Sequence, residues 1–343
     1  MEEYDTFDLA KLLMSLLVCV LHGRLLFDYI FPWVNLAVPM FLMISSFLMY
    51  SKINKTPEKR NEIVKKQIIR FVRFHLFWTL VFLPIIIYQR MYWFADGIIY
   101  GLFVAGKNIL FHSTFTGSWY IMATIWSILI IELIYRFNKK HCYIISLIIS
   151  IIAFFACCLR SSYSFLIENN SLIETVNSYY DLFFSSPVLS FPNAMIFVSF
   201  GMIFADKKDN QKINGFFCKN RFALAIVSLA LLCLEHLFIE RRSGEIYTEG
   251  VYLSLIPSSI ALFFILKEKK LTLSNHKKMR AMSSIIYAMH GSLLFLFSNI
   301  AEAFRLKWYN SHIQLLIVIT ICCLTSVVIL KLENRFPILK NSH

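Results

Sequence analysis

An aspartate, a lysine and a histidine share one apolar stretch near the start of the chain: Asp8, Lys11 and His22 lie in Phe7-Asp8-Leu9-Ala10-Lys11-Leu12-Leu13-Met14-Ser15-Leu16-Leu17-Val18-Cys19-Val20-Leu21-His22. An ionisable side chain at the centre of a bilayer costs about 2.5 kcal/mol or more, so three in one segment need partners, water or a chemical task. Lys11 and His22 are eleven residues apart, about three turns at roughly 3.6 residues per turn, so both leave the same face of a helix. At about 1.5 Å per residue they stand about 16 Å apart, roughly half a hydrocarbon core. Asp8 precedes Lys11 by three residues, the spacing at which an acid and a base meet on a helix. A neutral His22 can take a proton from an alcohol, as general-base histidines do near neutral pH. Lys11 can orient a donor or steady developing negative charge. The structural alternative is that Lys11 snorkels to the headgroups while His22 caps an interhelical hydrogen bond.

Two further groupings bring charge or imidazole into apolar surroundings. Arg70-Phe71-Val72-Arg73 sets arginines at i and i+3 on one helix face, a forked grip suited to phosphate. Ordinary basic flanking of a span explains the same pair. Ser283-Ser284-Ile285-Ile286-Tyr287-Ala288-Met289-His290 places a second histidine inside an apolar run. A lone intramembrane histidine is more often structural, but here it is the second. Glu132 and Glu235-His236 fall at predicted helix ends, where a proton relay competes with interfacial solvation. Trp78 and Trp119 read as packing or interfacial-belt residues. Nothing in the spacing suggests a metal site or a permanently bound cofactor.

The elements that must hold these groups are apolar helices. Of 343 residues, 58% are hydrophobic and 16% charged, with mean hydropathy +0.62, the profile of a polytopic membrane protein. Apolar runs near 20 residues predict an all-α integral membrane protein with ten spans, roughly 8–27, 32–51, 70–90, 117–137, 141–159, 190–206, 221–239, 250–267, 282–300 and 312–332. Residues 91–116, apolar but interrupted by Asp96, Gly97, Gly101 and Gly106, predict a re-entrant or interfacial segment. Across alternate loops 25 lysines and arginines fall on one side and 8 on the other, leaving Lys11 within a span. The positive-inside rule then puts both termini in the cytoplasm, with Asp8 and Lys11 near the cytosolic surface and His22 in the outer half. Met1-Glu2-Glu3 lacks a basic n-region and no small-residue cleavage site follows His22, so the first segment is expected to be retained.

The remaining composition narrows the class. Seven of eight cysteines lie in or beside apolar runs, Cys218 alone in a polar loop, which suits small buried hydrophobes better than a disulfide frame. The net charge of +13 comes in short groups between spans, without a basic domain or aromatic platform, so no nucleic-acid partner is expected. The longest outer loop, about 160–189, carries Glu168, Glu174, Asp181, Tyr163, Tyr179 and Tyr180. These suit contact with a sugar, and equally an interfacial aromatic belt. With no internal repeat or linker, residues 1–343 read as one domain whose constant partner is the lipid bilayer.

Taken in order, these motifs resemble the bacterial membrane-bound acyltransferase-3 family. The likeness runs through Asp8-x-x-Lys11 with His22, Ala37-Val38-Pro39-Met40-Phe41-Leu42-Met43-Ile44-Ser45-Ser46-Phe47-Leu48, and Arg70-x-x-Arg73 with Phe77-Trp78. It continues through Ser118-Trp119-Tyr120, Phe197-Val198-Ser199-Phe200-Gly201 and Ser283 to His290. It covers essentially the whole chain. The resemblance implies transfer of an acyl group, most often acetyl, from cytosolic acetyl-CoA to a hydroxyl of an extracytoplasmic glycan or lipid-linked sugar, in the bacterial cytoplasmic membrane. It implies His22 as base, Lys11 as the essential basic position beside it, and Arg70 and Arg73 as acyl-CoA contacts. Direct transfer and an acyl group resting on Ser45 are both open. Two positions depart from the family pattern. Lys11 replaces an arginine, keeping charge without the bidentate fork. Ser46 replaces the glycine of Ser-Gly-Phe, giving up backbone freedom.

A polysaccharide exporter or other transporter is the rival class, since many spans with polar residues at depth also suit a substrate path. No matching pair of Gly/Pro-broken spans is visible in two halves, which counts against it. A non-catalytic, glycan-binding relative is a third reading, and the sequence sets no oligomeric state.

Overall fold

The computed structural model describes residues 5–23, 32–167, 175–178, 180, 184, 186–206, 211–243, 250–269, 271–306 and 311–343. Met1-Glu2-Glu3, Arg24, Glu168, Glu174, Tyr179, Asp181, Lys207, Lys208, Lys270 and Lys307, which entered the sequence reading, lie outside the described residues. No β-strand occurs among the described residues. The main helices are α1 (Asp5–His22), α2 (Ala37–Lys55), α3 (Arg60–Val81), α4 (Leu83–Arg90), α5 (Ile98–Phe111) and α6 (Trp119–Phe137). They are followed by α7 (Cys142–Leu159), α8 (Phe191–Ala205), α9 (Gln211–Ser243), α10 (Leu255–Glu268), α11 (His276–Ala303) and α12 (Ser311–Leu332).

Each predicted apolar run holds a helix, but the helices differ in how well each could cross a bilayer alone. Among the described residues six are long and apolar enough, or seven if α3 and α4 form one bent span. α1 carries Asp5, Asp8 and Lys11 within 18 residues, while α8 and α10 have only 15 and 14 residues. The predicted third span is not straight: α3 and α4 meet at 74°. Pro84, the second residue of α4, has no N–H to give and its ring crowds the carbonyl four residues back, so the break falls beside it. Residues 91–116 form a short 3₁₀ turn and α5, whose Ile98, Ile99, Leu102 and Phe103 are all exposed.

The chain divides into two compact units, Met1–Ile30, Ile69–Ser118 and Lys270–His343 in the first, Phe31–Ile68 and Trp119–Lys269 in the second. In the first unit α1 lies along α11, which also packs on α12. The buried side of α1 includes Phe7, Asp8, Lys11, Met14, Ser15, Val18 and Cys19, a stripe at helical spacing. Its first turn is tied to the chain ahead of α11: the Leu273 backbone N–H donates to Asp5 Oδ2 at 2.9 Å and that of Leu271 to Thr6 Oγ1 at 3.2 Å. At the other end of the chain, Trp78 Nε1 on α3 donates to the Ser342 carbonyl at 3.1 Å.

The second unit is built around α8, which is buried along nearly its whole length and packs against α2, α6 and α7. α2 and α8 approach closely at Gly201, where a Cβ would lie 2.5 Å from the Met43 carbonyl oxygen and 2.9 Å from the Phe47 nitrogen. Small residues are what allow two membrane helices to come this near. Outward, α7 shows Ile144, Ile148, Ile152 and Phe155, and α9 shows Phe222, Ile226, Leu234 and Phe238. Such continuous apolar faces are what hydrocarbon covers.

Candidate active site

At the start of α1 a partner from α11 joins the predicted group. Asp8, 1% exposed, is gripped bidentately by Arg280 of α11, Nε to Oδ1 and Nη2 to Oδ2, both at 2.7 Å. His276 Nδ1 lies 3.0 Å from Asp8 Oδ2 and 3.4 Å from Asp5 Oδ1. Arg280 holds Asp8 with a fork of two parallel N–H···O bonds, and Lys11 stays close enough to feel the same carboxylate. Lys11 is buried and feels the charges of Arg70, Arg280 and Asp8. The cluster therefore gathers Lys11, Arg70 and Arg280 with the carboxylates Asp8 and Asp5 and the His276 imidazole. Of the two arginines proposed from sequence, Arg70 belongs to this cluster. Arg73 lies one turn further along α3, and both arginines are exposed.

Three turns on, α1 ends at His22. Its ring stacks on that of His290, centroids 5.2 Å apart and planes 30° apart. His290 is fully buried, and its Nδ1 donates to the Tyr287 carbonyl at 2.6 Å. A carbonyl oxygen can only accept, so the proton sits on Nδ1 and Nε2 presents a lone pair. That Nε2 is buried without a hydrogen-bond partner among the described residues. The Tyr287 hydroxyl donates to the Gly117 carbonyl at 3.0 Å. Gly117 has φ +88°, and a Cβ there would stand 3.2 Å from His290 Cε1, so only glycine both adopts this backbone and leaves the imidazole edge its room. The loop is fixed from within: Ser118 Oγ accepts from the Thr114 backbone N–H at 2.9 Å, and Ser113 Oγ donates to the Phe115 carbonyl at 2.6 Å.

The first unit thus brings together Asp8, Lys11 and Arg70 at one end of a shared α1 face, and His22, His290 and Tyr287 at the other. Ser45 on α2 and Trp119 at the start of α6 belong to the second unit, both buried. Sequence reasoning did not find Arg280, His276 or Gly117. A glycine directly before Ser118-Trp119 was the available signal for Gly117; the contacts of Asp8 span 268 and 272 residues of sequence and left none.

Glu132, Glu235 and His236, also singled out by type, lie in hydrogen-bonded settings of their own. Glu132 is buried and paired: Arg60 binds it bidentately with both bonds at 2.8 Å, and the Tyr50 hydroxyl donates to it at 3.1 Å. Arg60 also lies over the Tyr135 ring at 3.4 Å. Glu235 accepts the backbone N–H groups of Leu253 and Ser254 at 2.6 and 2.8 Å, together with the Ser254 and Tyr163 hydroxyls. It caps the start of α10, where orphan N–H groups need acceptors. His236 Nδ1 meets the Tyr252 hydroxyl at 2.9 Å. Among the described residues no three His, Cys, Asp or Glu side chains gather as metal ligands.

An all-helical chain with several bilayer-length apolar helices and charged side chains held inside them is a multi-pass membrane protein. A family model described as "Acyltransferase domain" (Acyl_transf_3) matches residues 4–331, and the chain belongs to that family of membrane acyltransferases. It is also similar to a protein of Enterococcus faecalis named "Amino-acid racemase", 25% identical over 283 residues, which are 77% of this chain and 36% of that protein. The chain therefore spans about a third of the length of the curated relative it matches. No solved structure is matched significantly.

Proposed function

We propose that this protein is an O-acyltransferase of the bacterial cytoplasmic membrane, with ten spans, one domain and both termini in the cytoplasm. It moves an acetyl group from cytosolic acetyl-CoA to a hydroxyl of an extracytoplasmic polysaccharide, glycoconjugate or lipid-linked sugar. The observation that carries this reading is the α1 face itself, with a cationic cluster at one end and an imidazole held against His290 at the other. Phosphates of CoA would meet Arg70 and Arg73, and the thioester would reach toward His22. His22 takes the proton of the acceptor hydroxyl while its oxygen attacks the thioester carbonyl carbon. The carbon–sulfur bond then breaks, the sulfur leaves as thiolate, and the imidazolium returns the proton to it. Lys11 steadies the negative charge that develops, and holding both reactants in one site lowers the barrier by positioning.

The test is chemical. Acyl ester on the surface glycan is compared between wild type and His22→Ala at equal membrane abundance. Loss of ester supports the base; undiminished ester rejects it. Ser45→Ala separates the two routes, since direct transfer survives it and a covalent rest on Ser45 Oγ does not. One observation favours a transporter, the 74° break between α3 and α4, because broken spans line transport sites. Release of CoA thiol from acetyl-CoA by the purified protein with membrane acceptor distinguishes the two; movement of glycan without thioester cleavage would select the transporter.

A further inference from the structure

The stacked imidazoles on α1 and α11 are not equivalent. His22 is the last residue of its helix and only partly buried. His290 lies in the interior of α11, fully buried, and two contacts hold it, one of them anchored in turn. Its Nδ1–H is spent on the Tyr287 carbonyl at 2.6 Å. Gly117 stands against its Cε1 edge. Tyr287, whose carbonyl holds it, is itself anchored through its hydroxyl to the Gly117 carbonyl. A second proton on His290 would put an N–H with no acceptor among the described residues at a buried Nε2, an arrangement that costs the full desolvation of that group. His290 thus has a fixed ring plane and a fixed tautomer, and its face carries the His22 ring at 5.2 Å.

We infer that His290 is a positioning residue: a rigid imidazole platform, locked through Tyr287 and Gly117, that holds the His22 ring in the orientation from which it acts as base. This rests on His22 being the base. The two histidines divide one task. His290 contributes a flat surface and no proton transfer, while His22, kept against it, presents a ring nitrogen to the acceptor hydroxyl.

The experiment uses the full-length protein in membrane vesicles from the producing cell, which carry the native acceptor, with acetyl-CoA as donor. His290→Ala removes the platform; His290→Phe keeps a flat ring and removes both nitrogens. Two quantities are read for each: kcat and KM for CoA release, and the rate at which diethyl pyrocarbonate modifies His22, followed by peptide mass. The platform predicts that His290→Ala lowers kcat about 10- to 100-fold, the scale of a misplaced catalytic group, with KM for acetyl-CoA unchanged. It also predicts that His22 is modified several-fold faster, because one face of its ring is uncovered. His290→Phe should restore most of both. If His290→Phe protects His22 yet is as slow as His290→Ala, the nitrogen of His290 does chemistry and the platform role is overturned. Unchanged His22 modification in His290→Ala overturns the stack itself. The modification readout needs no acyl transfer, so it stands even where His22→Ala shows that the base assignment is mistaken.

Discussion

At the scale of residues, the cluster at the start of α1 is held by the pairing of Asp8 with α11. Asp8 is saturated by Arg280 and His276, which ties α1 to α11. Asp8→Ala should lower stability by about 1–3 kcal/mol, below the ~3–5 kcal/mol of breaking a fully buried pair because the Arg280 side chain is 46% exposed. Thermal melting in nanodiscs checks this, and Asp8→Asn should lose less. Lys11→Met predicts the opposite balance. It removes a buried cation that stands near two guanidinium groups and one carboxylate, so the melting temperature should hold or rise. Turnover should nevertheless fall, by about 100-fold if Lys11 stabilises the transition state. Lys11→Arg, restoring the family's usual residue, should keep activity. The shared face of Lys11 and His22 was legible because helical period alone sets it. The partner of Asp8 was not, because α11 lies more than 250 residues away along the chain and no local rule reaches that far.

At the scale of elements, close helix approach is decided by which partner carries the small residue. Ser46 looked like a loss, since glycine usually occupies its place. In the structure Ser46 sits in regular α2 with its hydroxyl bonded to the Met43 carbonyl at 3.2 Å, and the room is supplied by Gly201 of α8. A methyl at 201 would collide with the Met43 carbonyl and Phe47 nitrogen as well as with Ser46. Gly201→Ala should therefore destabilise the protein by about 1–3 kcal/mol, as overpacking does. Ser46→Gly should fail to rescue it, because the two backbone contacts remain. Rescue by Ser46→Gly, read as recovered monodisperse protein in detergent, would show the clash to be with the serine alone. The positions of the helices were legible from apolar runs, but residues 70–90 read as one span and the break beside Pro84 was missed, although its missing donor was a signal. The 74° angle was not legible, because a proline sets where a helix yields and its packing sets how far.

At the scale of the whole molecule, membrane orientation follows from charge. The 25-to-8 division of lysines and arginines across alternate loops predicts that a reporter fused after Lys140 or His343 faces the cytoplasm and one fused after Ser162 faces outward. A cytoplasmic signal from the Ser162 fusion would invert the assignment and put His22 at the wrong surface for an extracytoplasmic acceptor. The same placement requires that the donor enter on the side of Arg70 and the acceptor on the side of His22. Acetyl-CoA labelled in its acetyl group, supplied only to the cytosolic face of sealed vesicles, tests that claim directly. Wild-type protein should deposit label as alkali-labile ester on glycan at the opposite face, and His22→Ala at equal abundance should deposit none. Equal labelling by His22→Ala, or label that stays on the cytosolic side, would contradict it.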